Sequence, residues 1–188
     1  MDKRILREFL KAGYTENSVF YETPEGVPQG GVITPILANM VLDGLEAALG
    51  EEFRVVRYCD DFVVLGKSKE ALETHAIKAI HSFLEPRGVK LNLAKTQILT
   101  LEEGFNFLGF HFREYPDQAR IKGTKRGILL VKPASENVKR LKRKIKEILS
   151  KAKSRPLYVI VNDLNLVLRG WSSYYRSVTA TRVFSQIG

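Results

Sequence analysis

Apolar residues recur at helical spacing from the first residues onward. Ile5, Leu6, Phe9 and Leu10 share one face of KRILREFLKAGY, and Gly13 follows where a helix stops. A loop rich in Pro24, Gly26, Pro28, Gly30 and Gly31 comes next, and a second helix is expected from Pro35 to Leu49, with Leu37, Val41, Leu42 and Leu45 on its apolar side. In FRVVRYCDDFVVLG the pattern changes to two short runs rich in Val, Phe and Tyr around the polar pair Asp60-Asp61, which predicts a tight hairpin with the acids at its tip. Ser68 is placed to cap a helix carrying Leu72, Ala76, Ile77, Ile80, Phe83 and Leu84 on one face, with Gly88 beyond its end. Strands are expected at 97–101, 105–113 and 127–132. From Ser135 to about Ala152 a helix is expected with Leu141, Ile145, Ile148 and Leu149 on one side. Pro156 opens another apolar stretch, stopped by Gly170, and WSSYYRSVTATRVF begins a third amphipathic one. Helices and antiparallel strands mixed in this order predict an α+β layer followed by a small all-helical bundle.

Composition adds limits to that outline. With 44% apolar residues in 188, the chain can bury the core of one ordinary domain or two small ones. No apolar run approaches the roughly 18 to 20 residues of a membrane span, and the N-terminus lacks an uninterrupted apolar stretch, so an intracellular, cytoplasmic protein without a membrane partner is expected. The single cysteine, Cys59, excludes an internal disulfide, and the scattered His75, His81 and His111 provide no zinc-ligand spacing.

Charge is distributed unevenly. Residues 1–119 hold 13 basic and 18 acidic side chains, a net −5, whereas residues 120–188 hold 17 and 3, a net +14. A near-neutral front and a strongly basic back suggest a catalytic or structural portion joined to one that binds a polyanion, most simply nucleic acid. Lys139, Arg140, Lys142, Arg143, Lys144 and Lys146 concentrate that charge on one helix. Further on, Arg169 and Arg176 flank Trp171, Tyr174 and Tyr175, a combination that suits phosphate contact and base stacking, although the rings at a spacing of four would equally form a bundle core. In the front portion, adjacent carboxylates on a rigid hairpin tip repel each other, and a hard cation such as Mg²⁺ relieves that repulsion.

The blocks EGVPQGGVITPILANMVLDGLE, YCDD, RGVKLNLAKTQIL, FNFLGFHF and LNLVLRGWSSYYRS occur in this order, and together they resemble the reverse transcriptases (maturases) encoded by group II introns. The resemblance implies a polymerase palm fragment over 1–119, a connecting strand or linker over 120–133, and a thumb or maturase domain over 134–188. It implies an RNA-directed DNA polymerase that uses two Mg²⁺ ions, with Asp60 and Asp61 as metal ligands and catalytic acids. It also implies that Gln29, Gly30 and Tyr58 lie beside the incoming nucleotide and template, and that Lys95 sits near the triphosphate as a catalytic cation. Lys139, Arg140, Lys142, Arg143, Lys146, Arg169 and Arg176 would then contact RNA. The implied partners are a group II intron RNA, an RNA template with a DNA primer, and dNTP. Cys59 stands where alanine is usual in this family, and Thr34 where serine is.

The family takes a further catalytic aspartate from a palm strand ahead of the first helix read here, and Asp2 has no preceding strand to hold it. The chain is therefore expected to lack the fingers and that acid, to be inactive alone, and to act with an N-terminal fragment or to self-associate through exposed strand edges. The alternative is a non-catalytic RNA-binding splicing module that keeps the fold and the basic thumb.

Overall fold

The computed structural model describes residues 2–22, 33–115 and 127–187, the side chains of 153 and 154 excepted. The chain forms two compact units, Met1–Ile98 and Leu99–Gly188.

The first unit opens with helix α1 (Lys3–Lys11), whose N-cap Asp2 accepts a hydrogen bond from the Arg4 amide at 2.8 Å. A hairpin follows, β1 (Tyr14–Glu16) and β2 (Val19–Tyr21), turning through Asn17 and Ser18, both at positive φ. That is the backbone twist a two-residue hairpin loop requires. The single helix expected over 35–49 is two, α2 (Thr34–Val41) and α3 (Leu45–Leu49), because Gly44 at φ 86° turns the chain between them. The bend brings Leu42, Leu45 and Leu49 into one core with Phe53, Ala76, Ile80, Phe83 and Leu84. Strands β3 (Arg54–Tyr58) and β4 (Asp61–Leu65) pair antiparallel and lay Val55, Phe62 and Val64 on that core.

The helix expected after Ser68 is present, and the Ser68 hydroxyl accepts from the Ala71 amide at 3.1 Å. It runs as α4 (Lys69–Ala71), a wider π turn (Leu72–Ala76), α5 (Ile77–Leu84) and a closing 3-10 turn (Glu85–Arg87), and Gly88 ends it at φ 69°. No strand forms at 97–101; the backbone there leads to a turn in which Glu103 accepts hydrogen bonds from the amide and hydroxyl of Thr100.

In the second unit the strand expected over 105–113 is a hairpin, β5 (Phe105–Phe107) and β6 (Phe110–Tyr115), closed by Leu108 and Gly109 at φ 49° and 81°. Strand β7 (Ile128–Pro133) adds to β6, completing a sheet in the order β5-β6-β7. Helices α6 (Ser135–Ser150), α7 (Leu157–Tyr175) and α8 (Thr181–Ile187) form the all-helical C-terminal portion. Gly170 does not stop a helix: α7 passes through it to Tyr175. Leu141 and Ile148 on α6 and Ile160 on α7 are buried. Tyr175 is the principal anchor, 2% exposed, with its hydroxyl donating to the Gly109 carbonyl at 3.0 Å and accepting from the Asn137 amide at 2.8 Å. No helix among the described residues is long and apolar enough to cross a membrane.

Candidate active site and nucleic-acid interface

Alternation along β3 decides what the β3–β4 hairpin presents. Val55 and Arg57 face inward, Val56 and Tyr58 outward, and the register sets Arg57 opposite Phe62 and Tyr58 opposite Asp61. The two acids therefore do not share the turn. Cys59 and Asp60 make the two-residue loop, while Asp61 is the first residue of β4. Both carboxylates are exposed, and the Tyr58 ring beside them is 61% exposed. Cys59 is half-buried and held at φ 55°, a left-handed conformation that costs a non-glycine residue about 1–2 kcal/mol.

Lys95 lies in a turn rather than at a strand start. Asn92 organises that turn by accepting from the Lys95 and Thr96 amides at 3.0 Å, and its side-chain oxygen accepts from Ala94 at 3.1 Å. Lys95 is exposed, and Leu91, at the entry to the turn, packs on the core that also receives the β3–β4 hairpin. Gln29 and Gly30 lie outside the described residues.

The donor chemistry of Asp60 and Asp61, hard carboxylate oxygens on an exposed tip, suits Mg²⁺. Their number falls short of a complete site, since among the described residues no three His, Cys, Asp or Glu side chains group to hold a metal ion.

On α6, Lys139, Arg140, Lys142, Arg143, Lys144 and Lys146 are all exposed, and Leu141 and Ile148 on the same helix are buried. Lys144 pairs with Glu147 at 3.8 Å, an exposed contact that leaves the basic character of the face intact. Arg169 and Arg176 are exposed on and at the end of α7. The aromatic residues between them belong mainly to the core: the Trp171 ring lies 4.4 Å from Tyr175 and 5.6 Å from Phe184. Tyr174, 53% exposed, stacks on Phe110 at 5.0 Å and donates to the Leu108 carbonyl at 2.8 Å.

A residue that sequence reasoning passed over is Arg57. Its Nη1 donates to Asn39 Oδ1 on α2 at 2.7 Å and to the Cys59 carbonyl at 3.2 Å, and its Nε lies 3.4 Å from Glu46 Oε1 on α3. The available signal was an arginine at an inward position of a strand otherwise packed with valine.

Comparison with known proteins identifies the family. A family model described as "Reverse transcriptase (RNA-dependent DNA polymerase)" matches residues 1–112, and one described as "Group II intron, maturase-specific domain" matches residues 138–188. The chain belongs to the family of group II intron-encoded reverse transcriptases/maturases. It is similar to Protein YkfC of Escherichia coli, 30% identical over 146 residues, covering 56% of this chain and 37% of the relative. It is also similar to the group II intron-encoded protein LtrA of Lactococcus lactis, 46% identical over 43 residues (23% of this chain, 7% of the relative). A putative COX1/OXI3 intron 2 protein of Saccharomyces cerevisiae is 24% identical over 177 residues, covering 62% of this chain and 20% of the relative. The chain thus spans well under half the length of each of these relatives.

Proposed function

We propose that this chain supplies the Asp60–Asp61 portion of an RNA-directed DNA polymerase of group II intron type, with a palm fragment over 1–119, a connecting strand over 120–133 and a basic thumb over 134–188. The observation that carries the reading is the position of the acids: Asp60 in the loop and Asp61 at the start of β4, both exposed at the end of a short, core-anchored hairpin. In a chain of this family, a rigid platform for two carboxylates is what metal-assisted phosphoryl transfer requires. Mg²⁺ bound there would lower the pKa of the attacking 3′-hydroxyl and neutralise the triphosphate.

Asp60 and Asp61 would hold the metal, and a third carboxylate would come from outside the described residues. Tyr58, on the outer face beside Asp61, would line the nucleotide position together with Gln29 and Gly30. The Lys95 ammonium would stabilise the departing pyrophosphate and donate a proton to it. The exposed cations of α6, with Arg169 and Arg176, would hold phosphates of intron RNA and of the primer–template.

The test is primer extension on an RNA template with Mg²⁺ and dNTP, with the chain alone and mixed with a finger-containing N-terminal fragment. Extension in the mixture that Asp60→Asn abolishes is the expected result. Extension that survives Asp60→Asn would overturn the assignment.

A second reading is favoured by the charge asymmetry and by the maturase-specific match over 138–188: a non-catalytic module that binds intron RNA and assists splicing. Tight RNA binding without extension under any condition would select it.

A further inference from the structure

We propose that Arg57 is the positioning residue of the Asp60–Asp61 turn, a brace that holds the Cys59 peptide in its left-handed conformation and so fixes where Asp60 stands. The inference rests on the reading of Asp60 and Asp61 given above. It starts from a mismatch in the hairpin: the first loop residue is Cys59 at φ 55°, where a two-residue loop ordinarily has Gly, Asn or Asp. A strained backbone of this kind persists only where its surroundings over-determine it.

Arg57 provides the surroundings. Its alternation places it on the inner face, its side chain is 17% exposed, and one nitrogen donates both to the Cys59 carbonyl and to Asn39 on α2. The contact to Glu46, longer at 3.4 Å and with a half-exposed partner, contributes less. The peptide between Cys59 and Asp60 is therefore tied to helix α2 through a single guanidinium. A lysine ammonium also carries its donors on one nitrogen but reaches less far from the backbone, so it would cover the two acceptors only in part. Asp61 depends on the brace less directly, because its own pairing with Tyr58 anchors it.

Cys59 is the chain's single cysteine, so its thiol reports on this turn alone. The experiment measures the rate at which a small thiol reagent modifies Cys59 in the unaltered chain and in Arg57→Gln, Arg57→Lys and Asn39→Ala, alongside the midpoint of global unfolding. Replacing Arg57 removes the cation and the brace together. Asn39→Ala, which keeps the cation and cuts its anchor, is therefore the decisive variant. Asn39 is exposed, and loss of one exposed hydrogen bond to a charged group shifts a local opening equilibrium by about threefold, so Asn39→Ala should raise the modification rate by about that factor at unchanged global stability. Arg57→Lys should fall between the unaltered chain and Arg57→Gln.

Modification of Asn39→Ala at the unaltered rate, or a rise that merely follows a lowered unfolding midpoint, would overturn the proposal. In an extension-competent mixture the same variant should lower kcat and leave KM for dNTP unchanged, and a fall confined to KM would also count against it. If the unaltered chain extends no primer in any mixture, the reading of Asp60 and Asp61 fails, while the thiol rates still decide whether Arg57 braces the turn.

Discussion

Two glycines in the second unit look interchangeable in sequence and should respond to alanine with opposite signs. Gly109 sits at φ 81°, and a Cβ there would collide with the Asn137 side-chain amide and lie 3.1 Å from the Tyr175 hydroxyl. Gly109→Ala adds about 1 kcal/mol of left-handed strain. Displacing Asn137 breaks its 2.8 Å bond to Tyr175 and its 3.3 Å bond to the Gly109 carbonyl. Each of those is worth about 1 kcal/mol, so the total is about 3 kcal/mol. Gly170, inside α7, has nothing within 4 Å of its Cβ position. Gly170→Ala should stabilise by about 0.5–1 kcal/mol through helix propensity and a less flexible unfolded chain.

Trp171 is the chain's single tryptophan and packs on Tyr175, so its fluorescence follows unfolding of this region during urea titration. In thermal unfolding, about 3 kcal/mol corresponds to a fall in Tm of roughly 12–24 °C for a unit of this size. A loss under about 1 kcal/mol for Gly109→Ala, or destabilisation by Gly170→Ala, would refute the reasoning about the turn and the helix respectively.

Reversing Lys142, Arg143 and Lys146 to Glu should weaken RNA binding for all sequences. The log–log salt slope should flatten by about 2, since each single-strand phosphate contact contributes about 0.7, and an unchanged slope would remove α6 from the interface. Lys95→Gln should slow extension in the complemented system without changing RNA affinity by filter binding; parallel losses in both would deny it a role at the triphosphate. Leu45→Ala, at a side chain 0% exposed, should cost about 2–5 kcal/mol in denaturant unfolding, and a smaller loss would mean that the core collapses around the gap.

Legibility in sequence followed the reach of the interactions. The helices over 3–11, 69–87 and 135–150 show as periodic apolar faces, and Ser68 and Gly88 mark the ends of one of them, because such signals lie within a turn or two of each other. The hairpin β1–β2 was missed because Val19, Phe20 and Tyr21 are all exposed and have no alternation to read. The helix expected over 35–49 breaks at Gly44 while α7 continues through Gly170, since a glycine breaks or continues a helix according to what the neighbouring side chains must reach. Leu108-Gly109 reads as the interior of one strand, yet the chain reverses there through positive φ at both residues, and the hydroxyls of Tyr174 and Tyr175 donate to their carbonyls from far along the sequence. At the candidate site, the YCDD tip was visible as a motif. Its brace was not, because Arg57 and Asn39 are eighteen residues apart and the pattern of one strand does not name its partner on another element.

The π turn at Leu72–Ala76 lies between two stretches that both pack on the same core. Leu72, Ala76, Ile80 and Leu84 are spaced by four, a slower winding than the 3.6 residues per turn of an α-helix, and over that length a regular helix would carry the ends of the row apart. The widened turn takes up the difference locally and works as a phase adjuster. The helix can thus meet the hairpin floor with its first half and Leu45 and Leu49 with its second, and neither contact has to slip for the other to form.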